Sequence, residues 1–389
     1  MRIKRFLILY LIFAMLFVSA CAPKLPEVSS GDGMDSDINS LVESSELSVE
    51  GSSISDERLD DISNDLISDT DSTEESVDVP TANEMRVHVI DVWQGDSIFI
   101  ELPNGKCMLI DAAERDYSGR VISLIDCLGY KKIDYLVATH PHSDHIGGMQ
   151  RVVQSFKIGK VYMPKVTTDT ASFINFLDAL DKQGVSVTVA KAGVKFDIGD
   201  FLSAEFVAPV TIVDDLNNCS AVLKLKYDEK VFLFTGDAEI IEEETITANI
   251  DCDVLKVGHH GSYTSSGNTF LKKCTPDIAI ISCGKGNDYG HPHDAALNRL
   301  DKAGVDKIYR TDVSGTVTVS TDGKNIEVSE GLVPTGYNWV LNLSGMKIHT
   351  TDCKSAVDMK EENRAYSIRT LRELQKMGYV LCGTCKPKE

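Results

Sequence analysis

The chain has 389 residues and a formal net charge of −20 that is unevenly spread. Residues 22–84 carry 18 Asp and Glu against Lys24 and Arg58, so the part from Met85 onward is only mildly acidic. That balance excludes bulk electrostatic attraction to polyanions; a nucleic-acid substrate has to be held by local groups or by metal ions.

Arg2, Lys4 and Arg5 precede an apolar run from Phe6 to Phe17, and Val18-Ser19-Ala20-Cys21 follows. A basic start, a short apolar core and small residues before a cleavage point predict a secretory signal over residues 1–21. The apolar run is too short to span a bilayer comfortably. Its ending resembles the lipobox of bacterial lipoproteins. The resemblance implies cleavage before Cys21, diacylglycerol on the Cys21 thiol and anchoring at the extracytoplasmic face of a membrane. Residues 22–84, rich in Ser, Asp and Glu, cannot bury enough apolar surface to offset the entropy of ordering, and predict a disordered acidic linker.

The folded body is expected over residues 85–330. Met85–Val92 and Ser97–Leu102 read as strands, Pro103-Asn104-Gly105-Lys106 as a hairpin turn, and Lys106–Asp111 as the returning strand. Val121–Leu128 has helical spacing, Ile133–Thr139 is an apolar strand and Ile146–Phe156 a helix. Two further hairpins pair Ser220–Tyr227 with Lys230–Thr235, and Gly315–Ser320 with Ile326–Glu330. Helices alternating with strands and several hairpins predict a layered α/β (α+β) body with mixed sheets.

At the end of the apolar strand stands Thr139-His140-Pro141-His142-Ser143-Asp144-His145-Ile146-Gly147-Gly148. Three imidazoles and a carboxylate this close together are a metal-ligand set. His140 and His142 can share one side of an extended segment, and Asp144 and His145 can address a second ion beyond the turn. This pattern resembles the metallo-β-lactamase superfamily, whose fold is an αββα sandwich with two metals at one edge. The resemblance implies that Asp111, in Leu109-Ile110-Asp111, supports the metal histidines from behind, and that Asp237, in Phe234-Thr235-Gly236-Asp237, bridges both metals.

A narrower likeness rests on Val92-Trp93-Gln94-Gly95-Asp96-Ser97, Asn217-Asn218-Cys219-Ser220, Gly258-His259-His260-Gly261-Ser262 and Tyr289-Gly290-His291-Pro292-His293. Together they resemble the extracellular hydrolase domain of the ComEC/Rec2 DNA-uptake family over about Met85 to Val328. The superfamily's usual third site-one histidine is missing, since no His lies between His145 and His259. An amide oxygen of Asn218, or water, can take that place, which makes the site less zinc-selective and brings Mn²⁺ into play. Of the paired histidines, His260 is expected to be the site-two ligand and His259 to face substrate, with the reverse assignment open. Asn218, Ser220, Ser262 and His291 are the candidate substrate contacts; Asp144, Asp237, His259 and His293 are the candidate catalytic groups.

Residues 336–389 predict a separate module. Tyr337–Leu343 reads as a strand and Ser355–Met377 as a polar helix. His349-x3-Cys353 with Cys382-x2-Cys385 has zinc-ligand spacing, and three thiolates with one imidazole close a tetrahedral structural Zn²⁺ site. The alternative in an exported chain is a disulfide. The segment resembles the metal-binding domain of Ada-type DNA repair proteins, with His349 where that pattern has its first Cys. The function expected overall is a lipid-anchored hydrolase with two divalent ions, acting as a phosphodiesterase or nuclease on DNA. Hydrolysis of wall phosphocholine, lactones or β-lactams, and a catalytically silent binding protein, are the other readings.

Overall fold

The computed structural model describes residues 83–388. The expected signal peptide, Cys21 and nearly all of the acidic linker lie outside the described residues. No described helix is long and apolar enough to cross a membrane.

Two sheets face each other. The first has the strand order Ile326–Glu330, Val317–Thr321, Met85–Val89, Ile98–Glu101, Cys107–Ile110, Lys132–Val137, Lys157–Met163, Val187–Val189. Its hairpins pair antiparallel, and the strands from Cys107–Ile110 to Val187–Val189 run parallel. The second runs Lys307–Arg310, Ile278–Ile281, Val254–Lys256, Lys230–Phe234, Val222–Tyr227, Leu202–Ala208, Lys195–Phe196, parallel over its first four strands. The mixed pairing follows from the connections, since short turns force antiparallel neighbours and helical crossovers permit parallel ones.

Three apolar layers confirm an αββα sandwich. Val87, Ile100 and Ile110 of the first sheet meet Phe206, Leu223 and Phe232 of the second in the middle layer. Helices Ser118–Cys127, Met149–Ser155 and Ala171–Gln183 cover the outer face of the first sheet through Val121, Val152 and Phe176. Helices Asn268–Cys274 and Asp294–Ala303 cover the second through Phe270 and Leu300. Each fully buried large side chain contributes about 1.5–3 kcal/mol of transfer free energy. The expected strands and hairpins are present, with ends shifted by up to three residues.

The tail holds a four-stranded sheet in the order Arg364–Ser367, Trp339–Asn342, Lys347–His349, Val380–Leu381. The single polar helix expected over Ser355–Met377 is not what forms. A helical turn at Lys354–Val357, a strand at Arg364–Ser367 and a helix at Leu371–Lys376 take its place. Ala365 and Ser367 alternate inward and pair with Leu341 and Trp339, so a period of two overrides the polar composition. Thr370 and Glu373 form a capping box that starts the second helix late. The tail sheet lies on helix Ser118–Cys127. There Arg369 engages both carboxylate oxygens of buried Asp126, and Ser123 bonds the backbone of Tyr366.

Candidate metal centre

The histidine and carboxylate motifs all follow the C-terminal ends of parallel strands, where loops from both sheets converge. Asp111 follows Cys107–Ile110, His140–His145 follow Lys132–Val137, Asp237 follows Lys230–Phe234, and His259–His260 follow Val254–Lys256. The loops are tightly set. Gly95 has φ +118° and a Cβ there would stand 2.2 Å from the Asp144 carbonyl oxygen, so only glycine lets the two loops touch. Asp111, His259 and His260 hold left-handed backbone angles, strain of the kind that packing sustains at functional sites.

Asp144, His145, Asp237 and His260 present ligand atoms that all lie within 4.8 Å of one another. His145 Nε2 and His260 Nε2 stand 3.2 and 3.3 Å from Asp237 Oδ2, and His260 Nε2 is 3.2 Å from Asp144 Oδ2. None of these approaches has hydrogen-bond alignment. His145 Nε2, His260 Nε2 and Asp237 Oδ1 are buried without a hydrogen-bond partner. Leaving such atoms unpaired costs about 1–3 kcal/mol each, so their convergence fits a cation. His140 and His142 face each other alongside, Nε2 to Nδ1 at 3.0 Å, with His140 Nε2 3.9 Å from Asp237 Oδ2.

The ring nitrogens turned away from the centre are committed. Asp111 Oδ2 is 2.8 Å from His145 Nδ1, and Ser282 O is 3.0 Å from His260 Nδ1. These contacts aim each Nε2 inward. The electrostatics agree. Burial opposes a charge on His145, but Asp237, Asp144 and Asp111 overcome it and hold the imidazole well above its ordinary range. His260 is raised likewise, against its burial, by Asp237 and Asp96. Asp237 is held well below the carboxylate range, against its own burial, by His145 and His260. Burial and His145 push His140 well down. The centre attracts positive charge, which protons supply when no ion does.

Gln94, His142, Asp144, Asn217, His259, Tyr289 and His291 wall a cleft of about 320 Å³ over the centre. His260, rather than His259, belongs to the four converging groups; His259 is partly exposed, with Nε2 3.8 Å from Asp237 Oδ2. His291 faces the cleft, its pKa lowered to about 4 by burial and the neighbouring histidines. His293 stands behind it, rings 4.9 Å apart, and accepts from the Tyr263 N–H. Ser220 accepts from the Asp237 N–H and lies 3.4 Å from His140 Nδ1; Ser262 is buried and bonded to Thr264. Asn218 is buried, its amide nitrogen on Glu239 and its Oδ1 without a partner.

Lys256 and Glu239 escape a reading of the sequence, and Asp96 enters it only within Val92-Trp93-Gln94-Gly95-Asp96-Ser97, with no role of its own. Lys256 is buried, with Nζ on Asp96 and on the Gly236 carbonyl. Asp96 also approaches His260 Nδ1 at 3.4 Å. Glu239 accepts from Asn218, Thr264 and His259. A lysine inside the apolar strand Val254–Lys256 is the sequence signal for the first of them.

In the tail, His349, Cys353, Cys382 and Cys385 form a second group with ligand atoms within 4.8 Å of one another, and the three cysteines are free thiols. His349 Nε2 is buried and unpartnered. Despite the cost of burial, backbone N–H groups of Cys385 and Thr384 bring the Cys382 thiol down to about 7, so a thiolate is accessible there.

Comparison with known proteins follows the same lines. Residues 90–285 match the model of the metallo-beta-lactamase superfamily. The chain is 32% identical over 260 residues to ComE operon protein 3 of Bacillus subtilis, covering 61% of this chain and 33% of that one. It is 31% identical over 241 residues to competence protein ComA of Neisseria gonorrhoeae, covering 60% of this chain and 32% of that one. It thus spans about a third of the length of these curated relatives. The metallo-beta-lactamase fold protein YhfI of Bacillus subtilis superposes with a TM-score of 0.41 at 14% identity, over 58% of this chain and 96% of that one. The chain belongs to the metallo-beta-lactamase superfamily of metal-dependent hydrolases.

Proposed function

We propose that this protein is a lipid-anchored hydrolase of the extracytoplasmic membrane face that cleaves phosphodiester bonds, with DNA as substrate. The observation that carries this reading is the convergence of Asp144, His145, Asp237 and His260 with their inward atoms buried and unpaired, next to the His140–His142 pair. These residues would hold two divalent ions, Zn²⁺ or Mn²⁺. The relatives named for competence support DNA as the substrate class. The lipobox-like Val18-Ser19-Ala20-Cys21 supports the anchor.

When bound, a pair of such ions lowers the pKa of water and neutralises charge on phosphoryl oxygens. Asp144 and Asp237 orient the attacking water. His259 lines the cleft, where it takes a proton from the attacking water and passes it to the leaving oxygen. His291 holds a phosphoryl oxygen, and His293 keeps that ring in place. In the tail, His349, Cys353, Cys382 and Cys385 would hold one structural Zn²⁺, which supplies folding energy to a sheet too small to be stable alone.

The test is hydrolysis of bis(p-nitrophenyl) phosphate by the full chain with Mn²⁺ or Zn²⁺, beside p-nitrophenyl acetate and a β-lactam. Metal-dependent turnover of the diester above the other two is expected. Turnover of only the carboxylic ester or lactam overturns the phosphodiester assignment.

A further inference from the structure

We infer that Glu239 is a positioning residue that sets two groups of the centre at once: it turns Asn218 into an oxygen donor and fixes the tautomer of His259. The inference rests on the dinuclear reading of the site and deepens it.

Glu239 stands two residues after Asp237, and both of its oxygens are engaged. Oε2 lies 3.1 Å from Asn218 Nδ2; Oε1 lies 2.7 Å from Thr264 Oγ1 and 3.2 Å from His259 Nδ1. An ionised carboxylate accepts and does not donate, so each group touching it must present a hydrogen. For Asn218 this decides the amide orientation. The NH₂ faces Glu239, and Oδ1 faces the other way, buried and without a partner. Asn218 sits two residues before Ser220, whose hydroxyl touches both the Asp237 N–H and His140 Nδ1. On this inference the orphaned amide oxygen serves the His140 side of the centre, the side that its chain neighbour Ser220 touches. That is where the sequence has no third histidine.

For His259 the same logic fixes the ring. Thr264 gives its only hydroxyl hydrogen to Glu239, so toward His259 Nδ1, 3.3 Å away, it can only accept. Both neighbours demand a hydrogen on Nδ1, which leaves Nε2 as the nitrogen facing the cleft wall and Asp237. One carboxylate thus supplies a neutral oxygen to the ion-binding side and a free ring nitrogen to the substrate side. A neutral amide oxygen is a harder donor than a third imidazole, which narrows the preference for Zn²⁺ over Mn²⁺ on that side.

The test uses the full chain and metal affinity, which needs no substrate and so separates this inference from the phosphodiester assignment. Mn²⁺ and Zn²⁺ are titrated against a competing chelator for wild type, Glu239→Gln, and Glu239→Gln combined with Asn218→Asp. A glutamine has one accepting oxygen and one NH₂, so it cannot satisfy all three donors. The single variant is expected to bind the weaker of the two ions about 10–100-fold less tightly, with the stronger site unchanged. Its activity–pH profile on bis(p-nitrophenyl) phosphate is expected to shift. In the double variant, the carboxylate introduced at position 218 accepts from the amide introduced at position 239 and still offers an oxygen, so the affinity returns. This double variant also keeps the test open if Glu239→Gln alone folds poorly. Wild-type affinity in Glu239→Gln, or a double variant that binds no better than the single one, overturns the inference.

Discussion

Asp111 Oδ2 lies 2.8 Å from His145 Nδ1, and its two oxygens also accept from the Thr139 hydroxyl and N–H. This buried carboxylate ties the end of one strand to the first helical turn of the next loop and aims His145 Nε2 at Asp237. Asp111→Ala is expected to weaken divalent-ion affinity about 10–100-fold while the fold persists. Chelator competition followed by far-ultraviolet circular dichroism checks both parts. Unchanged affinity contradicts the orienting role.

Lys256 and Asp96 are both buried and in contact. Removing the lysine alone strands a carboxylate beside His260. Lys256→Met is therefore expected to cost about 3–5 kcal/mol, whereas Lys256→Met with Asp96→Asn recovers much of it. Urea unfolding of the two variants decides the matter. Equal losses in both would mean that the pair acts by packing alone.

Glu242 is buried with neither carboxylate oxygen partnered, and burial raises its pKa to about 9. Its unfolded value is near the ordinary one, so between about pH 4.5 and pH 9 the folded state binds the extra proton. Stability is then fully present below the unfolded pKa and falls as pH rises through that window. Glu243, raised to about 7 by burial, adds to the same trend. Glu242→Gln is expected to flatten the slope and to be stabilising at pH 8. Denaturant unfolding of the metal-free chain at pH 6 and pH 8.5 reads this out; parallel slopes refute it.

Cys382→Ser is expected to remove one equivalent of tightly held zinc and to lower the melting temperature of the tail, leaving the ions near Asp237 in place. Elemental analysis of this variant beside Asp144→Ala separates the two sites. Loss of zinc from both on changing Cys382 contradicts two independent sites.

How much of this was legible in the sequence depended on spacing. His140, His142, Asp144 and His145 are close neighbours in the chain, and so are the members of each half of the tail cluster, so the chemistry could be read without knowing the fold. Asp237 and His260 were readable only through their surrounding motifs. Asp96 and Lys256 meet across 160 positions, and Glu239 meets Asn218 and His259 across about 20, which no local pattern reports. Residues 355–377 read as one helix because Arg364–Ser367 is polar in composition. Its identity as a strand comes from pairing with Trp339–Asn342, a tertiary effect that outweighs local propensity.

The most direct measurement is cleavage of single-stranded and duplex DNA by the full chain with Mn²⁺, Zn²⁺ or EDTA, beside Asp144→Ala. Cleavage that requires both the metal and Asp144 is the predicted result. A wild-type protein that carries two ions near Asp237 and leaves both DNA forms intact would contradict the assignment of DNA as substrate.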